Sequence, residues 1–252
     1  DPLVIIDGVY SDLSTLSSIY PADIESFTIL KNAAETAKYG SRGASGVIQV
    51  TTKKGHGSMF HISYDGNIGF ESKYKTIDML QRNGYISTAK TLGLDYNDGG
   101  YNTDFQDAVT RTGIVQNHHI AFSGGSESSN YRASIGVMDH KTIVKVNEYQ
   151  NFTAKFDLSQ KAFDNHLSID FGVFGASQKN NYIFDEQKLF YSAATQNPTF
   201  PEGMNASGGW DKNSTASQIN PPGALLKEKN DDKNLNFNTH LGLDFTLEKE
   251  LH

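Results

Sequence analysis

Two adjacent histidines, His118 and His119, are the first candidates for metal chemistry in this chain. Imidazole nitrogens bind zinc and related ions, but a site needs several ligands that converge on one point. The pair lies in a segment of alternating polarity, and neighbouring residues of a β-strand point to opposite faces. The sequence also lacks an HExxH pattern and any Cys/His metal spacing. We therefore predict no metal site here and expect histidines in a lumen or an interface.

Two glycine-containing segments resemble ligand-binding loops. Residues 95–100 (Asp-Tyr-Asn-Asp-Gly-Gly) are similar to the start of a calcium loop, but Gln106 occupies the twelfth position, where an EF-hand has glutamate. We interpret this segment as a polar turn, with weak calcium binding as the open alternative. Residues 40–46 (Gly-Ser-Arg-Gly-Ala-Ser-Gly) lack the Gly-Lys-Ser/Thr end of a phosphate loop. They predict tight turns, and no cofactor is expected.

The overall composition excludes several functions. The net charge of −7 argues against nucleic-acid binding, which needs clustered Lys and Arg. The absence of cysteine excludes disulfides and thiolate metal sites. Only 37% of the residues are hydrophobic, which is low for a large soluble core but sufficient for barrel strands with a single apolar face. No nucleophile stands beside a plausible base, so we predict no enzyme.

The chain divides into two parts that differ in their pattern. Residues 1–55 combine a short apolar strand (Leu3–Ile6), an Asp7-Gly8 turn and a helix ending at Gly40, which predicts a small α/β module. Later residues alternate between apolar and polar, with a period of two, in six segments of roughly 10 residues, which is typical of transmembrane barrel strands. A soluble β-sandwich would have the same period. The residues predicted to face lipid are Phe122, Ile135, Phe156, Phe171 and Phe245.

The connections between these six segments alternate in length. The predicted links are 72–114, 124–129, 139–148, 159–165 and 178–234, so the first, third and fifth exceed the second and fourth. Outer-membrane barrels have short periplasmic turns and long external loops, whereas a sandwich has no reason to sort its loops in this way. We therefore predict barrel strands. Six strands cannot enclose a plug, which occurs in barrels of about 22 strands, so we expect a piece of a longer protein.

Several ordered motifs in the first 55 residues resemble the plug of SusC/RagA-type TonB-dependent outer-membrane transporters. They are Pro2–Val9 (PLVIIDGV), Ile24–Ser26 (IES), Tyr39–Ala44 (YGSRGA), Gly46–Ile48 (GVI) and Thr51–Gly55 (TTKKG). Further along the chain, Val115–His118 (VQNH) and Ser123–Ser126 (SGGS) with Asn130-Tyr131 are similar to the early barrel strands of that family. One departure is Lys31-Asn32-Ala33, where the family has Lys-Asp-Ala.

The resemblance implies a fold, a location and a set of partners. We expect the C-terminal part of a plug domain over residues 1–55 and about six strands of a transmembrane barrel over 56–252. It implies TonB-dependent import of an oligosaccharide or oligopeptide across the bacterial outer membrane, with a SusD-like surface lipoprotein as partner. The alternatives are a TonB-dependent receptor for siderophores or cobalamin without a lipoprotein, and a soluble β-rich binding or adhesion module.

Two further sets of site residues are predicted. Arg42 is the candidate for a contact between plug and barrel, because a buried guanidinium needs a carboxylate partner. The segment 178–234 should face the exterior, since loops of that length are usually functional or disordered and its aromatic content argues against disorder. The candidates for cargo or partner contact are the aromatic residues Trp210, Tyr182, Phe184, Tyr191 and Phe200.

Overall fold

The computed structural model describes residues 1–55, 57, 59–202, 222–226 and 229–246. Within them the chain forms two β-sheets and several short helices. The strands are β1 (Leu3–Ile6), β2 (Val9–Ser11), β3 (Ile24–Leu30), β4 (Val47–Thr52), β5 (His61–Glu71), β6 (Gly113–Gly125), β7 (Ser129–Lys141), β8 (Glu148–Ala162), β9 (Leu167–Ile183) and β10 (Lys229–Phe245). The helices are α1 (Leu13–Ser18), α2 (Ala33–Thr36), α3 (Arg82–Leu92), α4 (Phe105–Val109), α5 (Glu186–Thr195) and α6 (Pro222–Leu225).

The N-terminal module is a four-stranded sheet in the order β2-β1-β4-β3, in which β1 and β4 run parallel. The predicted Asp7-Gly8 turn joins β1 to β2, and both residues have positive φ angles of 50° and 84°. Asp and Gly tolerate that conformation, which matches the twist of a tight hairpin. The Asp7 carboxylate also accepts hydrogen bonds from the Thr52 amide (2.8 Å) and hydroxyl (2.5 Å), which ties the hairpin to the end of β4.

The second sheet is an antiparallel meander of six strands in the order β10-β9-β8-β7-β6-β5. Its strands have 11 to 17 residues and are longer than the sequence pattern predicted. The turns 126–128 and 163–166 lie at the end of the sheet where β5 begins. The connections 72–112, 142–147 and 184–228 leave from the opposite end, so the predicted sorting of loop lengths is confirmed. We call the end of the sheet from which the long connections leave the external end, because the sequence predicts that these connections face the exterior.

The two faces of the six-stranded sheet differ in chemistry. The register places Phe122 beside Ala133, Ala133 beside Phe156, and Phe156 beside Val173, so these apolar residues share one face. This outer face is widely exposed and includes Ile62, Ile68, Ile135, Phe152, Leu235, Phe237, Leu241 and Phe245. The opposite, inner face is polar, and it carries buried His119, Arg132, Ser134, Asn151, Thr153, Lys155, Asp157 and Gln178. The N-terminal module packs against the inner face.

A separate hydrophobic core lies at the external end. Helices α4, α5 and α6 pack there with Val144 of the β7–β8 connection and Ile183 at the end of β9. Backbone bonds also join two connections, since Tyr101 N donates to Thr199 O (3.0 Å) and Thr103 N donates to Pro198 O (2.8 Å). The sequence analysis did not predict α3, α4, α5 or α6. The two longest of them, α3 and α5, have no strong apolar face. None of the described helices is long and apolar enough to span a membrane.

Candidate functional site

The contact between the N-terminal module and the inner face is centred on Asp23, which is only 3% exposed. Asp23 ends a short 3₁₀ turn that begins at Pro21, and its position before β3 directs the carboxylate at the large sheet. Oδ1 accepts a hydrogen bond from Arg132 Nη2 (3.0 Å), and Oδ2 accepts one from Ser134 Oγ (2.8 Å). His119 Nε2 also lies 3.0 Å from Oδ1. We call these four residues the Asp23 cluster.

The ring of Tyr20 fills the space beside this cluster. It stacks on the His119 ring with a centroid distance of 4.7 Å, and it lies over Gly136 so closely that a Cβ there would overlap it. Burial raises the pKa of the Tyr20 hydroxyl, and the Asp65 carboxylate raises it further. The Tyr20 ring can approach the six-stranded sheet this closely only because position 136 is a glycine and has no side chain.

Helix α1 makes a second set of contacts with the inner face. Its last carbonyls have no partner within the helix, and two side-chain amides of the six-stranded sheet donate hydrogen bonds to them. Asn151 Nδ2 donates to Ser18 O (3.1 Å), and Gln178 Nε2 donates to Ser17 O (3.3 Å). At the other end Asp12 caps the helix by accepting from the Thr15 amide (2.6 Å), which lowers the pKa of Asp12.

A cavity of about 80 Å³ lies between the β1–β2 hairpin and the inner face of β8, β9 and β10. Tyr10 and Thr52 line it from the module, and Asp157 and Asn238 line it from the sheet. Asp157 is 4% exposed and pairs with Lys155, but its Oδ1 has no hydrogen-bond partner among the described residues. Lys54 of the module also pairs with Asp170 of β9 at 3.6 Å, so the contacts of the module reach from β6 to β9.

This arrangement suits a reversible contact better than a reaction. Asp23 accepts hydrogen bonds from Arg132 and Ser134 across the interface, and Asn151 and Gln178 donate to carbonyls of α1. Among the described residues, no group of three or more His, Cys, Asp or Glu side chains could hold a metal ion. The two adjacent histidines point to opposite faces, as predicted, since His118 bonds the Tyr64 hydroxyl (2.7 Å) on the outer face.

Comparison with known proteins identifies the module and the sheet. The family model of the TonB-dependent Receptor Plug Domain matches residues 1–47. The TonB-dependent receptor SusC of Bacteroides thetaiotaomicron is 36% identical over 267 residues, which cover 94% of this chain. The chain belongs to the SusC/RagA-type TonB-dependent receptors. Residues 1–47 therefore lie in the plug, and the six-stranded sheet is part of an incomplete barrel wall.

Other relatives agree with this assignment. A TonB-dependent receptor of Formosa agariphila is 31% identical over 92% of the chain. The chain spans about a quarter of the length of both curated relatives, 26% and 24%. A solved structure of the RagAB peptide transporter has the same fold, with a TM-score of 0.76 and 20% identity over 98% of this chain and 33% of that one.

Arg42, the predicted contact between plug and barrel, pairs with no carboxylate among the residues that the structure describes. Arg42 is exposed, and its guanidinium lies 5.6 Å from the centre of the Tyr10 ring instead of beside a carboxylate. Ion pairs of both polarities cross the interface: Asp23 of the N-terminal module pairs with Arg132 of the sheet, and Lys54 of the module pairs with Asp170 of the sheet at 3.6 Å. Arg42 follows the break at Gly40, where φ is 61°, and its contact with a barrel strand stays a prediction.

The predicted aromatic contact residues have different surroundings. Tyr182, Phe184 and Tyr191 are exposed at the external end. Phe200 is 3% exposed within the external core, so it is not available to a partner or cargo, which corrects the prediction for that residue. Trp210 lies outside the described residues. Contact of the three exposed rings with a partner or cargo stays a prediction.

The residues predicted to face lipid lie together on the outer face. Phe122, Ile135, Phe156, Phe171 and Phe245 all have the same orientation through the ladder register. Their contact with a bilayer stays a prediction.

Sequence reasoning missed the Asp23 cluster, because Asp23 and Arg132 are 109 residues apart. One signal was available. Arg132 interrupts a polar face that otherwise has Ser134 and Gly136, and an inward arginine on a barrel strand requires a carboxylate from a facing element.

Proposed function

We propose that this receptor imports an oligosaccharide or an oligopeptide across the bacterial outer membrane, driven by TonB and together with a SusD-like surface lipoprotein. The proposed path runs past the plug, and the wall strands span the lipid with their apolar outer face. The chain supplies the plug contact and the first strands of that wall. The rest of the barrel belongs to the longer protein that such receptors form.

One observation carries the proposal: the plug meets the wall through a polar interface of hydrogen bonds and a buried ion pair. The Asp23 carboxylate is joined directly to the side chains of Arg132 and Ser134 across this interface. A permanent contact between two domains would bury mainly apolar surface. A polar interface can part and re-form when water replaces its hydrogen bonds, since the net contribution of each neutral bond is only about 1 kcal/mol.

Exposed aromatic side chains at the external end support the proposed lipoprotein partner and the proposed class of cargo. Phe184 and Tyr191 expose aromatic rings there, and such rings are enriched at protein interfaces and can pack against sugars or peptides. The relative SusC is 36% identical to this chain, and the RagAB peptide importer has a similar fold. Both observations favour a nutrient oligomer over a siderophore or cobalamin, and the widely exposed apolar face of the wall argues against a soluble adhesion module.

The test uses the full-length receptor in its own outer membrane. Cells with and without the receptor are given labelled maltoheptaose, a labelled decapeptide and a ferric siderophore, in strains that have or lack TonB and the adjacent lipoprotein. We expect uptake of one oligomer that requires the receptor, TonB and the lipoprotein. Siderophore uptake without the lipoprotein would overturn the proposal, as would recovery of the receptor in the aqueous fraction without detergent.

A further inference from the structure

We propose that the inner face of β10 binds the imported oligomer and that this oligomer is an uncharged oligosaccharide. The face carries a set of side-chain amides, which we call the amide row: Asn230, Asn234, Asn236 and Asn238. This inference rests on the proposed import function. It narrows the cargo from an oligosaccharide or oligopeptide to one chemical class, and it names the wall strand that contacts this cargo.

The register between β9 and β10 determines which residues of β10 point inward. Gln178 of β9 lies on the inner face, because its side-chain amide donates to Ser17 O of the plug, and Asn234 is its direct partner on β10. Alternate residues of a strand share one face and lie about 6.8 Å apart. The members of the amide row are separated from one another by even numbers of residues, so all of them point inward with Asn234.

The plug leaves the amide row accessible in the part of the chain that the structure describes. Asn230 and Asn238 are exposed, and Asn234 and Asn236 are half-buried. Among the described residues, the side-chain hydrogen bond within this row joins Asn234 Nδ2 to Asp232 Oδ2 of the same strand at 3.1 Å. A primary amide has two donor hydrogens and an acceptor oxygen, and a sugar hydroxyl both donates and accepts. The row can therefore bind successive hydroxyl groups of a sugar chain.

Two aromatic side chains of β9 border the amide row, one at each end. Tyr182 is the direct partner of Asn230, and Phe174 is the direct partner of Asn238, so both rings lie on the inner face. The Tyr182 side chain is 44% exposed. Ligand sites commonly combine aromatic side chains with a few polar groups that fix the orientation of the ligand. Amides flanked by aromatic rings match a sugar chain, because each sugar has hydroxyl groups at its edge and an apolar C–H face.

The charged side chains of this face favour an uncharged cargo. The ionisable residues at inward positions of β10 are Asp232, His240 and Asp244, so carboxylates outnumber basic groups there. Asp232 lies within the amide row itself, between Asn230 and Asn234. The lysines Lys179 of β9 and Lys233 of β10 are direct partners of each other and point to the outer face.

The inward lysines near β9 and β10 have partners or lie far from the amide row. Lys155 of β8 pairs with Asp157, and Lys54 of the plug pairs with Asp170 at 3.6 Å. Lys161 lies near the turn 163–166, at the opposite end of the sheet from the external end. An anionic sugar, or the carboxylate terminus of a peptide, would be repelled by the Asp232 carboxylate, and such repulsion excludes wrong ligands. These charges therefore favour an uncharged oligosaccharide over an oligopeptide.

Protection of a cysteine tests where the cargo binds, because this chain contains no cysteine of its own. The purified full-length receptor with Asn238→Cys, and with any cysteine outside this chain replaced by serine, is labelled with a water-soluble maleimide. Labelling is repeated with millimolar maltoheptaose, mannoheptaose, a fructan heptaose or the decapeptide. We expect a neutral heptaose to slow labelling about tenfold, as it would at about ten times its Kd. Ser128→Cys, in the exposed turn between β6 and β7, is the matched control and should label at one rate throughout.

A charge introduced into the amide row tests the class of cargo. The wild-type receptor should bind a neutral heptaose more tightly than heptagalacturonate, which has a carboxylate on every sugar. Asn236→Lys should strengthen binding of heptagalacturonate about tenfold, because it adds a charge-assisted hydrogen bond, and its partner Ala176 leaves room for the longer side chain. Asn236→Met is the matched control, with a similar length and no charge, and should give no such gain. Isothermal titration calorimetry on the purified receptor measures both affinities.

Three results would overturn the inference. They are protection of Asn238→Cys by the decapeptide and by none of the heptaoses, protection by none of the probes, and tighter binding of heptagalacturonate than of every neutral heptaose to the wild type. Uptake by cells separates these failures from failure of the proposed function. If a probe is imported with TonB and the lipoprotein while Asn238→Cys stays unprotected, the amide row is not the binding site and the function stands. If a neutral heptaose protects Asn238→Cys but no probe enters the cells, the site stands and the import function is wrong.

Discussion

The inner face of the six-stranded sheet buries Asn151, Thr153 and Asp157, whereas the outer face exposes Phe152 and Phe156 of the same strand. A water-soluble sheet has the opposite distribution, with its apolar face in the core. Both faces belong to the same strands and share one ladder of backbone hydrogen bonds, so the two faces differ only in their side chains. The wall makes polar contacts inward with the plug, and we expect its apolar outer face to contact lipid.

The largest effect is expected from breaking the inward contact at its buried charge. Arg132→Ala removes the partner of Asp23 and leaves that carboxylate buried, which should destabilise plug docking by about 3–5 kcal/mol. Limited proteolysis of the plug in the purified full-length receptor measures this loss. The double variant Asp23→Leu with Arg132→Met should recover much of it, because it leaves neither charge unpaired. Equal protease resistance of Arg132→Ala and wild type would show that the cluster does not hold the plug.

The next largest effect is expected from a substitution on the apolar outer face of the wall. Phe171→Arg places a charge on the outer face and should hinder assembly by about 2–4 kcal/mol if that residue lies near the bilayer midplane. The matched control is Asp170→Asn on the inner face, one position away, which should assemble normally. Heat-modifiable mobility of the receptor in outer-membrane fractions measures assembly. Normal assembly of Phe171→Arg would contradict the proposed lipid contact.

The sequence predicted the faces of the wall but not the contact between plug and wall. Alternation fixes the register because a shift of one residue would move Phe156 to the inside and Asp157 to the outside. No such rule connects Asp23 to Arg132, since their contact depends on how two separate sheets dock. Arg42 lies in a glycine-rich plug motif, and the motif alone does not determine which surface its side chain contacts. The burial of Phe200 was equally hard to predict, because long loops that pack on one another leave no periodic signal in the sequence.

A smaller effect is expected at the notch that receives Tyr20. Gly136→Ala adds a methyl group that overlaps the ring, and such overpacking typically destabilises by about 1–3 kcal/mol. Gly175→Ala is the matched control, because a Cβ at that wall position meets no atom within 4 Å. Thermal unfolding of the purified receptor compares the two variants. If both melt together with the wild type, shape complementarity at Tyr20 does not contribute to docking.

The smallest effect concerns an ion pair that has good geometry but no burial. Arg82 donates two hydrogen bonds to Asp98, at 2.9 Å and 2.7 Å, in the external connection between β5 and β6. These bonds hold the pKa of Asp98 at about 2, below its ordinary value of 3.8. Because the folded pKa is depressed, any stabilisation is complete above pH 3.8 and is lost as the pH falls through about 2.

Arg82→Ala should therefore raise the Asp98 pKa toward 3.8 while leaving stability at neutral pH nearly unchanged, since solvent screens exposed pairs. A carboxyl titration followed by NMR with labelled aspartate measures the pKa, and thermal unfolding at pH 7 measures stability. The comparison with Arg132→Ala is then direct, because both variants remove an arginine that bonds one aspartate. A loss of stability as large as that of Arg132→Ala would mean that bond geometry, rather than burial on the inner face, determines how strongly such a pair stabilises the receptor.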